Sequence, residues 1–97
     1  MSVDRTAIIC RGFEIDRETW ENLDDDFYDM WGINFNMYSD RGPYLIGYRI
    51  KTCDEGELHQ LDSAVLPTDG DNELIAACRS AGLEIGPIKT YFGVAVW

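Results

Sequence analysis

Two alternating runs joined by a turn decide the fold: Ile33-Asn34-Phe35-Asn36-Met37-Tyr38, then Ser39-Asp40-Arg41-Gly42-Pro43, then Tyr44-Leu45-Ile46-Gly47-Tyr48-Arg49-Ile50-Lys51-Thr52-Cys53. Apolar and polar residues alternate along the first run, which is typical of a strand with one buried face. Asp40-Arg41-Gly42-Pro43 has the composition of a turn. The stretch therefore predicts a β-hairpin.

The residues before this hairpin predict a strand and a helix. Thr6 to Phe13 contains the run Ala7-Ile8-Ile9-Cys10, which is apolar on both faces and favours a central strand. Asp16 can cap the N-terminus of a helix of about four turns that ends at Gly32. The apolar stripe of this helix has helical spacing and consists of Trp20, Leu23, Phe27, Met30 and Trp31.

The residues after the hairpin predict a short strand, a helix and a last strand. Asp54-Glu55-Gly56 is typical of a tight turn, and residues 57–62 can return as a weak strand. A short amphipathic helix follows and ends at Gly82, and Tyr91 to Trp97 alternates as a final strand. The order predicts one α+β domain over residues 1–97. Its pattern is ferredoxin-like β-α-β-β-(β)-α-β, with two helices on one face of an antiparallel sheet.

The charge of the 97-residue chain, net −10, is concentrated in two blocks. Glu14 to Asp29 contains eight carboxylates and one base, and Asp54 to Glu73 contains seven carboxylates and no lysine or arginine. Nucleic acids and anionic membranes would repel such a chain, so we expect a basic protein surface as the partner. With no apolar run long enough to span a bilayer, we expect a cytoplasmic protein.

The residue types that carry chemistry form no complete motif. Three cysteines without a C-x-x-C pair predict neither a disulfide framework nor a zinc site, and the one histidine, His59, has no catalytic partner in a known spacing. Asp24-Asp25-Asp26 and Asp69-Gly70-Asp71 each match only part of a calcium loop. A carboxylate pair for acid–base catalysis stays open as an alternative. We expect no enzyme, no cofactor and no metal.

Acidic side chains on the first predicted helix are the leading candidate for a partner-binding surface. Glu21, Asp25 and Asp29 would form a column of like charges spaced by four residues, which destabilises a helix. Two interpretations remain: a solvated face that keeps the protein soluble, or a face complementary to a basic groove. The candidate residues are Glu18, Glu21, Asp24, Asp25, Asp26 and Asp29, and a second acidic surface consists of Asp54, Glu55, Glu57 and Asp62.

The sheet face away from the helices is a second candidate surface. We expect Ile8, Cys10, Phe35, Ile46, Tyr48, Val94 and Val96 to face the helices. The opposite face would then present a basic and aromatic platform of Arg49, Lys51, Tyr91 and Trp97, accompanied by Arg11 and Phe13. Such a platform can pack on a second copy or on a partner protein, and stacking of RNA bases is the weaker alternative.

In size, charge and charge clustering the chain resembles the small acidic inhibitors that phages and mobile elements use against nucleases, including anti-restriction and anti-CRISPR proteins. The resemblance implies a non-enzymatic decoy, a nucleic-acid mimic that occupies the basic groove of a nucleic-acid-handling protein. The alternative is a ferredoxin-like regulatory or ligand-binding module that forms a homodimer through the open sheet face.

Overall fold

The computed structural model describes residues 5–36, 42–59 and 68–96. Within these ranges the chain forms four strands and three helices, so the predicted α+β class is confirmed. In chain order they are β1 (Arg5–Ile15), α1 (Arg17–Glu21), α2 (Asp25–Trp31), β2 (Gly32–Asn34), β3 (Tyr44–Asp54), α3 (Asp71–Ser80) and β4 (Lys89–Val96).

The strands form one antiparallel sheet in the order β2-β3-β1-β4. The apolar run in β1 is therefore central, as its sequence predicts, with β3 on one side and β4 on the other. Between β1 and β3 the register shifts at Ile9 and Cys10, which lie opposite Lys51 and Arg49. Ile50 is thus the additional residue of a bulge, which increases local twist. The sheet is curled, and a bridge joins Asn36 to Val96.

The first strand of the hairpin is shorter than predicted. Only Gly32–Asn34 pairs with β3, and the chain then bends at Phe35. The carbonyl of Phe35 accepts a hydrogen bond from the Val96 N–H at 2.9 Å, while its ring lies against Gly93. The alternation at 33–36 therefore reflects burial of Ile33 and Phe35 rather than a long strand.

The single helix predicted from Asp16 to Gly32 is wrong, because the chain forms α1 and α2 with a break at residues 22–24. The backbone N–H and the side-chain amide of Asn22 both donate hydrogen bonds to the Glu18 carbonyl. These bonds end α1. Asp24 then takes the N-cap position of α2, and its carbonyl accepts from Tyr28 N–H at 2.8 Å. Asn and Asp favour caps over helix interiors, which explains the break.

The second predicted helix is confirmed as α3. Its end has the hydrogen bonds of a Schellman motif: Leu83 N–H donates to the Cys78 carbonyl, and Gly82 N–H donates to the Arg79 carbonyl. Gly82 has φ of 72°, the left-handed conformation that this motif requires.

Two apolar clusters cover opposite faces of the sheet. The strand cluster comes from strands and the bend after β2, and consists of Ile8, Cys10, Ile33, Phe35, Leu45 and Ala95, with Tyr91 packed against it. The helix cluster joins α2 and α3 to the sheet and consists of Phe13, Phe27, Ile46, Leu74 and Cys78. Each cluster therefore contains one buried free cysteine.

This arrangement corrects the predicted faces. Ile8 and Cys10 lie on the face away from the helices, whereas Phe13 and Arg11 lie on the helix side. Ile46 and Tyr48 do pack in the helix cluster, as expected. The β1 prediction failed because β1 is apolar on both faces, so its pattern cannot say which face meets the helices.

Some predictions concern residues outside the described ranges: Met37, Tyr38, Asp40, Arg41, Asp62, Trp97 and the end of the weak strand at 57–62. The described part of that strand, residues 57–59, is not in a strand. Over the described residues, no helix has the length and apolar character needed to cross a membrane.

Candidate interaction surface

The six acidic residues of the leading candidate surface lie on α1, on α2 and at the break between them. Asp16 caps α1 by accepting a hydrogen bond from Thr19 N–H at 2.8 Å. Hydrogen bonding from the side chain of Thr19, together with this backbone bond, lowers the pKa of the Asp16 carboxyl. Glu21 is paired with Arg17 at 2.9 Å, four residues earlier in α1. The charges at both ends of α1 are thus locally compensated.

The predicted column of Glu21, Asp25 and Asp29 is wrong as a continuous helix face. Glu21 ends α1, whereas Asp25 and Asp29 belong to α2. Asp25 and Asp26 occupy the first turn of α2, where the helix dipole favours negative charge. Their placement needs no functional explanation. Asp29 lies in the unfavourable C-terminal half of α2, as Glu21 does in α1, where Arg17 compensates it.

The carboxylates of this region are nevertheless largely uncompensated. Glu18, Asp24, Asp25, Asp26 and Asp29 are all exposed. Within the described ranges, none of these five side chains has an ion-pair or hydrogen-bond partner. Five unpaired charges within twelve residues create a strongly negative end of the molecule.

Aromatic packing holds these helices in place. The Trp20 ring on α1 stacks on Tyr44 of β3, with centroids 5.0 Å apart and an interplanar angle of 25°. It also meets Tyr28 of α2 edge-on, at 5.0 Å and 69°. Because α1 has five residues and is marginal alone, Trp20 fixes the acidic surface relative to the sheet.

A groove of about 540 Å³ lies between α2 and α3, beside this acidic surface. Its apolar lining includes Leu23, Phe27 and Met30, and Asp24 and Asp26 also line it. Phe27 is buried in the helix cluster, whereas the side chain of Met30 is 73% exposed. The acidic surface therefore borders an apolar depression.

The described part of the second acidic surface is compensated locally. Asp54 accepts a hydrogen bond from Thr6 Oγ1 at 2.7 Å, and its N–H donates to the Glu57 carboxylate at 2.8 Å. Glu55 lies 3.5 Å from Arg5, and Glu57 lies 3.7 Å from His59. These carboxylates order the turn after β3, and they lie at the opposite end of β1 from α1.

The predicted sheet platform is only partly brought together. The register places Arg49 and Tyr91 on either side of Cys10, on the face of the strand cluster. Lys51 lies opposite Ile9, and successive residues of a strand point to opposite faces. The bulge at Ile50 therefore separates Lys51 from Arg49. Tyr91 is half-buried, so its ring offers little surface to a partner.

The sequence did not predict a polar network that lies on the helix side of the sheet. Arg11 donates to both carboxylate oxygens of Asp71, from Nε at 2.9 Å and from Nη2 at 2.8 Å, and from Nη1 to Thr90 Oγ1 at 2.8 Å. The Tyr48 hydroxyl donates to Asp71 Oδ1 at 2.6 Å. An arginine inside an apolar strand was the one available indication. The network fixes the start of α3 on β1, β3 and β4, and it engages three of the five N–H donors of Arg11.

The network shifts the pKa of three of its members, and the hydrogen bond to Asp71 raises the pKa of the Arg11 guanidinium. Burial, together with the hydrogen bond to Asp71, raises the pKa of Tyr48 to about 12. The hydrogen bonds from Arg11 and Tyr48 lower the pKa of the Asp71 carboxyl, against an opposing effect of burial. Asp71 is therefore ionised and Tyr48 neutral near pH 7, which is the state that this hydrogen bonding requires.

Other reactive groups are dispersed. Among the described residues, no group of three or more histidine, cysteine or acidic side chains is placed to hold a metal ion. Burial raises the pKa of the Cys10 and Cys78 thiols, and Cys53 is half-buried near the Glu57 carbonyl. Comparison with protein-family models, curated proteins and solved structures gives no match to this chain.

Proposed function

We propose that this chain is a small, acidic, non-enzymatic interaction domain that binds a basic protein surface through α1 and α2. In its most specific form it is an inhibitor that mimics nucleic acid and occupies the basic groove of a nucleic-acid-handling protein, in the manner of anti-restriction and anti-CRISPR proteins. The partner is then a protein, and the chain does not contact nucleic acid itself.

One observation carries this proposal: the five exposed carboxylates of α1 and α2 have no partner among the described residues. The described carboxylates of the second acidic surface, Asp54, Glu55 and Glu57, each have a contact with Thr6, Arg5 or His59, which favours the first surface over the second. Clustered, unpaired charge on a fixed support attracts an oppositely charged groove and accelerates association. With the helix broken, the mimicry rests on this clustering and not on a regular spacing of charges.

Affinity capture from a bacterial lysate tests the proposal. The acidic variant carries Asp24→Asn, Asp26→Asn and Asp29→Asn. The matched control removes three exposed carboxylates elsewhere, with Glu55→Gln, Asp69→Asn and Glu84→Gln. We expect the wild type and the control to retain the same protein at low salt, and duplex DNA to release it. The acidic variant should lose it, mainly through slower association.

Equal capture by the two triple variants would contradict the proposal. So would a captured protein that high salt and duplex DNA both fail to release, since screening and competition weaken any charge-driven groove contact. Circular dichroism of both variants controls for loss of fold.

We also propose that the fold is ferredoxin-like, with α2 and α3 on one face. The strand order β2-β3-β1-β4 and the antiparallel pairing of the three strand pairs support this connectivity, and so does the cluster that α2 and α3 share on β1 and β3. Nuclear Overhauser contacts from Phe27 and from Leu74 to Phe13 would be expected. Contacts of either helix to Cys10 instead would contradict it.

A second candidate function is self-association through β4, the edge strand. The side chains of Phe92 and Val94 are 73% and 50% exposed, and among the described residues β4 pairs only with β1 and, at Val96, with the bend after β2. Exposed edges with apolar side chains favour pairing with another strand. This candidate is the homodimeric regulatory module of the sequence analysis, but its dimer interface is β4 instead of the predicted platform.

Sedimentation equilibrium distinguishes this candidate. A wild-type dimer that Phe92→Ser converts to a monomer would support it, with Leu58→Ser as a control at an exposed apolar residue outside β4. A wild-type monomer at high concentration would contradict it.

A further inference from the structure

The groove between α2 and α3 has the size and lining of a binding site for side chains. Its volume of about 540 Å³ lies within the range of pockets that hold small ligands. Phe27 and Trp31 of α2 line one wall together with Leu23 of the break before it, and Ala77 and Leu83 belong to the other side. The small Ala77 leaves room that a larger side chain would fill.

The rim of this groove is negative. Asp24 and Asp26 line it at the N-terminal end of α2, and Ser80 and Ala81 line it at the C-terminal end of α3. The carboxylates of Asp24 and Asp26 favour a cation at the α2 end of the rim. The last carbonyls of a helix carry partial negative charge, which favours a cation at the α3 end. Arg79, the base in the last turn of α3, does not line the groove.

We propose that the groove takes a basic amphipathic helix of the partner protein, with apolar side chains inserted between α2 and α3 and lysine or arginine on Asp24 and Asp26. This inference rests on the proposed function and adds an apolar anchor to it. Charge complementarity at the rim selects the basic residues. The walls are helix surfaces rather than a strand edge, and a helix, whose backbone is already hydrogen-bonded, suits such walls better than an extended peptide. The exposed Met30 side chain can adapt to the inserted residues.

Synthetic peptides and the Met30 methyl group provide the test. The probe is a helical peptide of about five turns, built from leucine, lysine and alanine, with leucine at helical spacing. A scrambled peptide of the same composition carries the same charge without the apolar stripe. We expect the patterned peptide to shift the ¹³C-methyl resonance of Met30 and to bind at least about tenfold tighter than the scrambled one.

A pair of exposed apolar residues supplies the matched variants. Met30→Ser should weaken binding of the patterned peptide about fivefold or more, mainly by faster dissociation, because contacts formed after encounter act on that rate. Leu58→Ser, at a side chain that is 98% exposed and outside the groove, should leave the affinity unchanged.

The remaining outcomes separate this inference from the function beneath it. If both lysine peptides bind equally and Met30 does not shift, the groove proposal is wrong while charge-driven binding still supports the proposed function. If neither peptide binds at low salt, both proposals fail. A Met30 shift that depends on protein concentration alone would assign the groove to a second copy and overturn the inference.

Discussion

At the scale of single residues, the contact between Arg11 and Asp71 shows how a charged residue can belong inside a sheet. The two side chains are only 16% and 23% exposed, and they form two hydrogen bonds with each other. A half-buried arginine needs such a partner, because an unpaired charge there would be costly. Asp71, in the first turn of α3, therefore supplies the carboxylate that Arg11 of β1 requires. This ion pair fixes the position at which α3 begins.

Asp71→Asn should destabilise the protein by about 1–3 kcal/mol, because Arg11 keeps its charge and loses its ionised acceptor. Tyr48→Phe removes one hydrogen bond and should cost about 0.5–1.5 kcal/mol. Urea unfolding followed by circular dichroism measures both. A variant of Asp71 as stable as the wild type would mean that the ion pair contributes nothing to folding.

The same pair predicts the pH dependence of stability. The pKa of Asp71 is lower in the folded chain than the ordinary value near 3.9, so its contribution is present above about pH 4 and is lost as pH falls through the folded pKa. Tyr48 has the opposite sign: the folded pKa of about 12 exceeds the ordinary value near 10. Its contribution should decline between about pH 10 and 12. The Asp71→Asn and Tyr48→Phe variants should lack the acid and alkaline components respectively.

Two glycines facing each other predict the most damaging small substitutions. Gly12 on β1 lies opposite Gly47 on β3, and a Cβ atom on either would approach the neighbouring backbone to 2.0 or 2.1 Å. Gly12→Ala should therefore cost about 3 kcal/mol or more, since backbone must move. Gly82→Ala, which meets open space but has positive φ, should cost only about 1 kcal/mol. Similar losses for the two variants in urea unfolding would show that the strands separate easily here.

At the scale of elements, the break between α1 and α2 reverses an expectation about charge. A column of like charges at Glu21, Asp25 and Asp29 would destabilise one long helix, so the sequence predicts that neutralising all three stabilises the isolated protein. In the structure Asp25 begins α2, and Glu21 is paired with Arg17. The three acids therefore differ in their effect on stability.

Single variants should separate these effects. Asp25→Asn should destabilise by about 0.3–1 kcal/mol, because it removes a charge that the helix dipole favours. Asp29→Asn should stabilise the protein by about 0.3 kcal/mol, because it removes a negative charge near the C-terminal end of α2, where the helix dipole disfavours it. Thermal melts at low ionic strength measure the difference, which salt should reduce. Stabilisation by both variants would instead support a continuous helix.

The elements also show what sequence reasoning can and cannot reach. β1, β3, α3 and β4 follow from alternation, caps and turn residues. The helical spacing of apolar residues continues through Leu23, which packs in the helix cluster. The spacing therefore gave no sign of the break at Asn22. Phe35 is buried against Gly93, so the alternation of apolar and polar residues continues beyond Asn34, where β2 ends. The acidic surface was predicted by composition, whereas the groove depends on how α2 meets α3, which local patterns do not encode.

At the scale of the whole molecule, the charge is distributed unevenly over a stable support. The carboxylates near β3 contact Arg5, His59 and local hydrogen-bond donors, whereas Glu18, Asp24, Asp25, Asp26 and Asp29 have no partner among the described residues. The net charge of −10 then acts as a self-repulsion that favours the unfolded chain. A bound basic partner would relieve this repulsion and stabilise the fold.

Salt should therefore stabilise the isolated protein. Raising sodium chloride from about 0.01 to 1 M shortens the Debye length from about 30 to 3 Å and screens the acidic end. We expect the midpoint of urea unfolding to rise, and to rise less in the triple variant of Asp24, Asp26 and Asp29. A midpoint that falls with salt would mean that attractive pairs outweigh the repulsion.

The two apolar clusters have a consequence for motion, because each contains one buried thiol. Iodoacetamide can reach Cys10 only when the strand cluster opens, and Cys78 only when the helix cluster opens. Alkylation rates measured by peptide mass spectrometry would time the two events separately in the unmodified protein. We expect Cys78 to react first, since β1 is held by strands on both sides. Equal rates would show that both layers open as one unit, and faster reaction of Cys78 would show that the helices can detach from a persisting sheet.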